Sequence, residues 1–222
     1  MKSHFTLENV AANPEVQAYL KSADNTFRVL GYKEHGSRHA MLSANIAGNI
    51  LKFLEYSDEV CESAKIAGYL HDIGNAVAQT DHAQNGAVLA LSILEKMNIP
   101  YPAIFPIISA IGSHEDKDVD PPSAVAAAVI LGDKTDVHHT RVRTEELANA
   151  DTHARVNVAC QRAFMRVSKE EKIVSLELTI DTQICSVMDY FEIFLSRIKY
   201  CRSASRVLGC EFVLYINKDK FL

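Results

Sequence analysis

The residues able to do chemistry in this chain are His39, His71, Asp72, His82, His114 and Asp133. His39 stands three and seven residues before Leu42 and Ile46, and His71 stands three, four and seven after Gly68, Ala67 and Ala64. His82 precedes Gly86 and Leu89 by four and seven, His114 follows Ile111 and Ile107 by three and seven, and Asp133 follows Val129 and Val125 by four and eight. Residues three or four apart share one face of a helix. Five polar residues from five helices therefore point into an apolar interior, with Asp72 beside His71. A single inward histidine is ordinary core chemistry. Five His/Asp residues together are not, because unpaired buried carboxylates cost several kcal/mol each. A divalent cation removes that cost, and imidazole with carboxylate but no thiolate suits Zn, Mn, Fe, Co or Ni.

Those faces require helices, and the sequence punctuates them. Asn13-Pro14 opens a helix through Leu20, with Pro14 at its first position. A second runs from about 37 to 54 with Leu42, Ile46, Ile50 and Phe53 inward. A third is capped by Ser57-Asp58 and carries the small stripe Ala64, Ala67 and Gly68, which permits close approach. Asp81 caps a fourth, with Leu89, Ile93 and Met97 inward. After the break at Pro100 and Pro102, a fifth carries Ile104, Ile107, Ile108 and Ile111, and a sixth begins near Pro122 with Val125, Val129 and Ile130. The expected fold of residues 1–150 is a helical bundle.

Beyond residue 151 the period changes. Residues 155 to 167 are rich in strand formers, Lys169-Glu170-Glu171-Lys172 reads as a turn, and Val174, Leu176, Leu178 and Ile180 alternate with polar residues. Asp181-Thr182 then caps a long amphipathic helix through Ile184, Val187, Met188, Phe191, Leu195 and Ile198. Gly209 and a strand through Phe212, Leu214 and Ile216 follow. The expectation for 151–222 is a small α+β annex, β-β-α-β, packed on the bundle and serving dimer formation or lidding.

The 222 residues allow one domain plus an annex, at about 150 residues per domain. With 48% hydrophobic and 23% charged residues, the disordered, collagen-like and coiled-coil classes are excluded. Twenty-three basic against 28 acidic side chains, a formal charge of -5, give no field for duplex nucleic acid. The five cysteines contain no Cys-x-x-Cys pair, which points away from a disulfide framework and towards a reduced cytoplasm. The sequence has no apolar run of membrane-spanning length, and its first residues lack the apolar middle of a signal peptide. Neither a membrane partner nor export is expected.

The segment His71-Asp72-Ile73-Gly74, with His39 before it and Asp133 in Leu131-Gly132-Asp133-Lys134 after it, resembles the HD superfamily of metal-dependent phosphohydrolases over residues 30 to 145. The resemblance implies that His39, His71, Asp72 and Asp133 bind a first metal, with Asp72 bridging to a second. His82 and His114 match the additional histidines of two-metal members. Cyclic-di-GMP phosphodiesterases of the superfamily read His-Asp-x-Gly-Lys and His-His-Glu. Here Asn75 and Ser113 depart from that pattern and no Gly-Tyr-Pro follows Glu115, so that substrate is not expected. The whole chain, including residues 149–151 and Asp189-Tyr190-Phe191-Glu192, is also similar to a group of small bacterial HD-domain proteins, which implies no particular substrate.

The implied reaction is hydrolysis of a nucleotide or related small phosphate ester by metal-activated water, using one or two divalent transition metal ions. Lys134, Arg141 and Arg143 follow Asp133 closely and either meet the phosphoryl oxygens or form a solvated basic turn. His35 is an accessory candidate, four before His39, whereas His138 and His139 are expected outside the ligand set. Two other functions remain open on sequence: an HD-type di-iron oxygenase, and a metal- or nucleotide-sensing module without turnover. Iron content with oxygen-dependent turnover separates the first from a phosphohydrolase.

Overall fold

The computed structural model describes residues 5–29, 34–116, 119–142 and 152–222. Its described residues up to 135 form helices α1 (Leu7–Ala11), α2 (Pro14–Val29), α3 (Ser37–Phe53), α4 (Asp58–Leu70), α5 (His82–Lys96), α6 (Tyr101–Ser113) and α7 (Ala124–Thr135). Side chains set most of the starts. Thr6, Ser57 and Ser123 each accept a hydrogen bond from the backbone N–H three residues on. Asn13 Oδ1 accepts from Glu15 N at 2.8 Å, with Pro14 at the first helical position as expected. Asp81 differs from its expected role. It precedes α5 at φ 59° and makes no capping bond, so it forms the corner where the chain enters α5. A short polar residue tolerates this left-handed conformation.

Helix spacing is set by small residues. Every residue of α7 from Val125 to Thr135 is buried, and α3, α4 and α6 surround it. A Cβ on Gly132 would lie 2.5 Å from Ser43 O, and one on Gly68 would lie 3.0 Å from Ala44 Cα. Backbones this close leave no room for large side chains, which corrects the expected inward face of α3. Ala40, Ser43, Ala44, Ala47 and Leu51 are buried with Ile50, whereas Leu42 and Ile46 are half-buried and Phe53 is 65% exposed.

The C-terminal part is mostly α+β as expected, with three local corrections. Residues 155–159 belong to a helix, α8 (Thr152–Ala159), and the strand β1 starts only at Cys160 (Cys160–Ser168). Val156, Asn157 and Ala159 of α8 are buried, and Asn157 Nδ2 donates to Val137 O at 2.8 Å, so tertiary contacts override the strand preference of valine. The long helix α9 (Val187–Val207) is capped by Ser186, which forms a reciprocal box with Asp189, rather than by Asp181-Thr182. The inward face of α9 is Tyr190, Phe194, Ile198 and Cys201, whereas Met188 and Leu195 are more than half exposed. Ile184 precedes the helix and is 40% exposed.

Strands β2 (Ile173–Ile180) and β3 (Glu211–Ile216) pair in parallel, joined through α9, while β1 pairs antiparallel with β2 and the short β4 (Asp219–Lys220) antiparallel with β3. Helix α9 packs on this sheet and on α7, so one continuous apolar core joins bundle and annex. The expected boundary near residue 150 lies outside the described residues. All five cysteines are free and buried. Among the described residues, no helix is long and apolar enough to cross a membrane.

A 3-10 turn, Ile73–Ala76, follows α4 and carries the start of α5 against itself. A Cβ on Gly74 would fall 1.9 Å from His82 O and 2.5 Å from Gly86 N, so only glycine allows this contact. Gly74→Ala must push α5 away, at a cost of about 1–3 kcal/mol or more. Gly112→Ala is the control. Its Cβ would meet Ala87 Cβ at an ordinary 3.6 Å, and removing glycine from a helix should stabilise the fold by up to about 1 kcal/mol. Urea denaturation of both variants should give opposite shifts, and equal shifts would contradict this account of the α5 contact.

Candidate metal centre

The candidate ligands sit at helix ends gathered at one end of the bundle. His71 and His114 occupy the residues that close α4 and α6, His82 opens α5, His39 lies in the first turn of α3, and Asp133 lies in the last turn of α7. Three of the histidines use the same local device. His71 Nδ1 lies 2.8 Å from Gly68 O, His114 Nδ1 lies 2.7 Å from Ile111 O, and His82 Nδ1 lies 3.0 Å from Gln79 O, each a carbonyl three residues back. A carbonyl can only accept, so Nδ1 carries the hydrogen in each ring. His39 Nδ1 is held instead by Asp136 Oδ2 at 2.8 Å, the arrangement in which a carboxylate fixes a ligating imidazole.

Three of the rings thus turn Nε2 towards Asp72, and His114 turns its Nε2 towards His82. His39 Nε2 is 3.6 Å from Asp72 Oδ2 and 3.4 Å from Asp133 Oδ1, and His71 Nε2 is 3.3 and 3.8 Å from the same two oxygens. His82 Nε2 lies 3.6 Å from Asp72 Oδ1 and 3.3 Å from His114 Nε2. His39 Nε2 and His71 Nε2 are buried with no hydrogen-bond partner. A neutral imidazole lone pair facing a carboxylate is acceptor against acceptor, which only a cation or a proton can reconcile. Three overlapping groups have ligand atoms within 4.8 Å of one another: His39, His71 and Asp72; His71, His114 and Asp133; Asp72, His82 and His114. These buried groups could hold a metal ion, as the sequence suggested. The C-terminal ends of α4, α6 and α7 add their negative dipole ends to the same place.

Ionisation follows the same geometry. Burial opposes the charged form of His71, but the carboxylates of Asp72 and Asp133 outweigh it and raise its pKa to about 9. Burial and the positive charges of His71 and Lys134 push His114 down to about 4, so it presents a free lone pair at neutral pH. Asp72 and Asp133 stay ionised despite burial, held well below the usual carboxylate range by the neighbouring cations. Asp136 is likewise lowered against burial by His39, Arg141 and Arg38.

The expected cationic residues divide. Lys134 belongs to the site, with Nζ 2.6 Å from Asp133 Oδ2 and 3.2 Å from Glu115 Oε1. Arg141 lies apart from the pocket. It is 1% exposed, absent from the pocket wall, and occupied by Asp136 O at 3.1 Å and Glu34 O at 3.1 Å, so it braces Asp136 from behind the His/Asp cluster. Arg143 lies outside the described residues. His35 stacks on Phe27 with ring centroids 4.0 Å apart and lines the pocket without joining the ligand groups. His138 bonds Gln161 O at 2.8 Å and the His139 ring lies tilted against it, and neither belongs to the candidate ligand groups.

The pocket above the ligands has a volume of about 210 Å³ and is lined by Asp72, Asn75, His82, Glu115, Lys134 and Arg197 among others. Four contributors escaped the sequence reading. Asp136 and Glu115 were within reach, three residues after Asp133 and one after His114, where a polar partner is common. Asn75 entered only as a departure from a motif, yet its Nδ2 donates to Asp72 Oδ1 at 3.0 Å and fixes that carboxylate. Arg197 comes from the annex, and no local signal in the sequence foretells its place.

Fold and site together define a mostly helical protein with a small α+β annex and a buried His/Asp centre able to hold a metal ion. No family model matches the chain. It is 26% identical to uncharacterized protein MJ1020 of Methanocaldococcus jannaschii over 218 aligned positions, which cover 87% of this chain and 82% of that protein.

Because His71 keeps a proton below pH about 9, a cation that takes its Nε2 must expel that proton. Mn²⁺ affinity, measured by calorimetry, should therefore rise about tenfold per pH unit from 7 towards 9 and level off above. An affinity independent of pH over that range would place the cation away from His71.

Proposed function

We propose that the protein is a metal-dependent phosphohydrolase acting on a nucleotide or related small phosphate ester, with a centre that takes two divalent ions. The observation that carries the reading is the turning of three Nε2 atoms towards the two oxygens of Asp72, with His114 Nε2 3.3 Å from His82 Nε2 beside them. His39 and His71 face Asp72 Oδ2, whereas His82 faces Oδ1. A carboxylate approached from both sides in this way suits a bridge, with His39, His71 and Asp133 on one side and His82 and His114 on the other. The order His39, His71-Asp72, Asp133, which resembles the HD superfamily, supports the same assignment and the reaction class.

Held there by His39, His71, Asp72, His82, His114 and Asp133, ions drawn from Zn, Mn, Fe, Co or Ni would supply an activated water and a clamp on phosphoryl oxygens. The chain's own groups prepare the place. Asn75 holds Asp72 in orientation, Asp136 holds His39 in the tautomer that exposes Nε2, and Arg38 and Arg141 keep Asp136 charged. Lys134 offsets the charge of Asp133 and stands at the pocket wall, where negative charge gathers as a phosphoester breaks. The free, buried thiols suit a reducing compartment such as the cytoplasm.

The test is a phosphoester screen of protein purified without chelator, with metal content measured beside turnover for the parent and for Asp72→Ala. Occupancy should fall and turnover should drop at least about 10²-fold, the scale for removing one well-placed electrostatic group. Full occupancy with unchanged turnover would contradict the assignment. His82→Ala and His114→Ala should each lower the stoichiometry from two ions towards one while the His39 and His71 side stays loaded. A parent that never exceeds one ion per chain would remove the second position.

A further inference from the structure

The annex contributes no candidate metal ligand among the described residues, yet one of its side chains reaches the site. Arg197, on the helix that joins β2 to β3, lines the same pocket as Asp72, Asn75, His82, Asp133 and Lys134. We propose that Arg197 is the residue that binds the phosphate oxygens of the substrate, which makes the annex a working part of the site and favours a phosphate monoester. The inference rests on the phosphohydrolase reading above and extends it to substrate contact.

Three observations carry it. The first is an unmet donor: Arg197 NH1 is buried and has no hydrogen-bond partner among the described residues. A buried donor left unpaired is costly, more so when charged, so a partner is called for. The second is that Lys134, the other lysine or arginine lining this pocket, and the nearby arginines are already occupied. Lys134 is held by Asp133 and Glu115, Arg141 and Arg38 by Asp136, and Arg206 by Asp120, whereas Arg197 forms no ion pair among the described residues. The third is position. The guanidinium carbon lies 4.8 Å from the centroid of the Phe194 ring, a contact that holds the side chain beside the pocket without using its hydrogen-bond donors.

The chemistry of the ligand follows from these constraints. A planar guanidinium edge matches the paired oxygens of phosphate. A monoester has three non-bridging oxygens, enough to face both the His/Asp side of the pocket and Arg197, where a diester has two. A wider cavity of about 550 Å³ shares Glu115, Lys134 and Arg197 with the first and is further lined by Val119 and Tyr200, and it offers room for the alcohol portion.

The test uses the full chain loaded with Mn²⁺ and inorganic phosphate as the probe, with binding followed by calorimetry. Arg197→Ala should weaken phosphate binding at least about tenfold, with metal content and melting temperature unchanged, and Arg197→Lys should recover part of the loss. Equal affinity in Arg197→Ala, or no phosphate binding by the loaded parent, would overturn the inference. So would loss of bound metal or of folding in both variants, since Arg197 would then be structural. The two proposals fail separately. Arg197-dependent phosphate binding without turnover of any phosphoester defeats the hydrolase alone, and phosphoester turnover with a KM unchanged in Arg197→Ala defeats the inference alone.

Discussion

Buried acceptors facing buried acceptors are unstable without a positive charge between them, and the His/Asp centre is built on that conflict. Each of the four imidazoles spends its Nδ1 hydrogen on the chain, on Gly68 O, Ile111 O, Gln79 O or Asp136. Their Nε2 atoms are left against two carboxylates kept ionised by their surroundings. In the metal-free protein the proton on His71 supplies part of the missing charge, which is why its pKa climbs to about 9 against the effect of burial. A divalent cation supplies more charge and can be shared by several Nε2 atoms at once.

Holding such a centre requires the backbones to be close, and the fold obtains this from glycine and alanine. The contacts of Gly132 with Ser43 and of Gly68 with Ala44 draw α7 and α4 onto α3. His39, His71 and Asp133 meet as a consequence. Gly74 does the same for the start of α5, and so brings His82 to Asp72. The annex completes the arrangement from the other side. Helix α9 covers α7, Tyr200 donates to Glu115 O at 3.2 Å, and Lys134 lies over the Tyr200 ring at 5.4 Å. Helix α9 thereby supports the residues that flank the His/Asp cluster.

The sequence pointed to the candidate ligands because a polar side chain at helical spacing on an apolar face is conspicuous, and the structure brings His39, His71, His82, His114 and Asp133 together with Asp72. It was less informative about direction beyond helix ends. Arg141 is near Asp133 in sequence, but α7 stops at Thr135 and the turn at His139–Arg141 carries the guanidinium behind Asp136. Hydrophobicity also misplaced the face of α3. Residues such as Phe53 look inward by size, whereas the first turns of α3 meet α4 and α7 through Ala40, Ser43, Ala44 and Ala47, with Ile50 and Leu51 buried only further along. Residues 155–159 joined α8 because burial outweighed propensity. The hairpin to β4 was invisible because Asn217 and Lys218 adopt φ 52° and 75° without the glycine that signals such a turn. Arg197 depends wholly on tertiary packing.

The central claim is that the Nε2 atoms surround cations, and anomalous scattering locates cations directly. Crystals of the protein soaked with Mn²⁺ and measured near the manganese edge should show two peaks flanking the Asp72 carboxylate. One peak should be bound by Nε2 of His39 and His71 with Asp133, and the other by Nε2 of His82 and His114. A map with no peak at Asp72, or with the histidines ligating through Nδ1, would contradict the account.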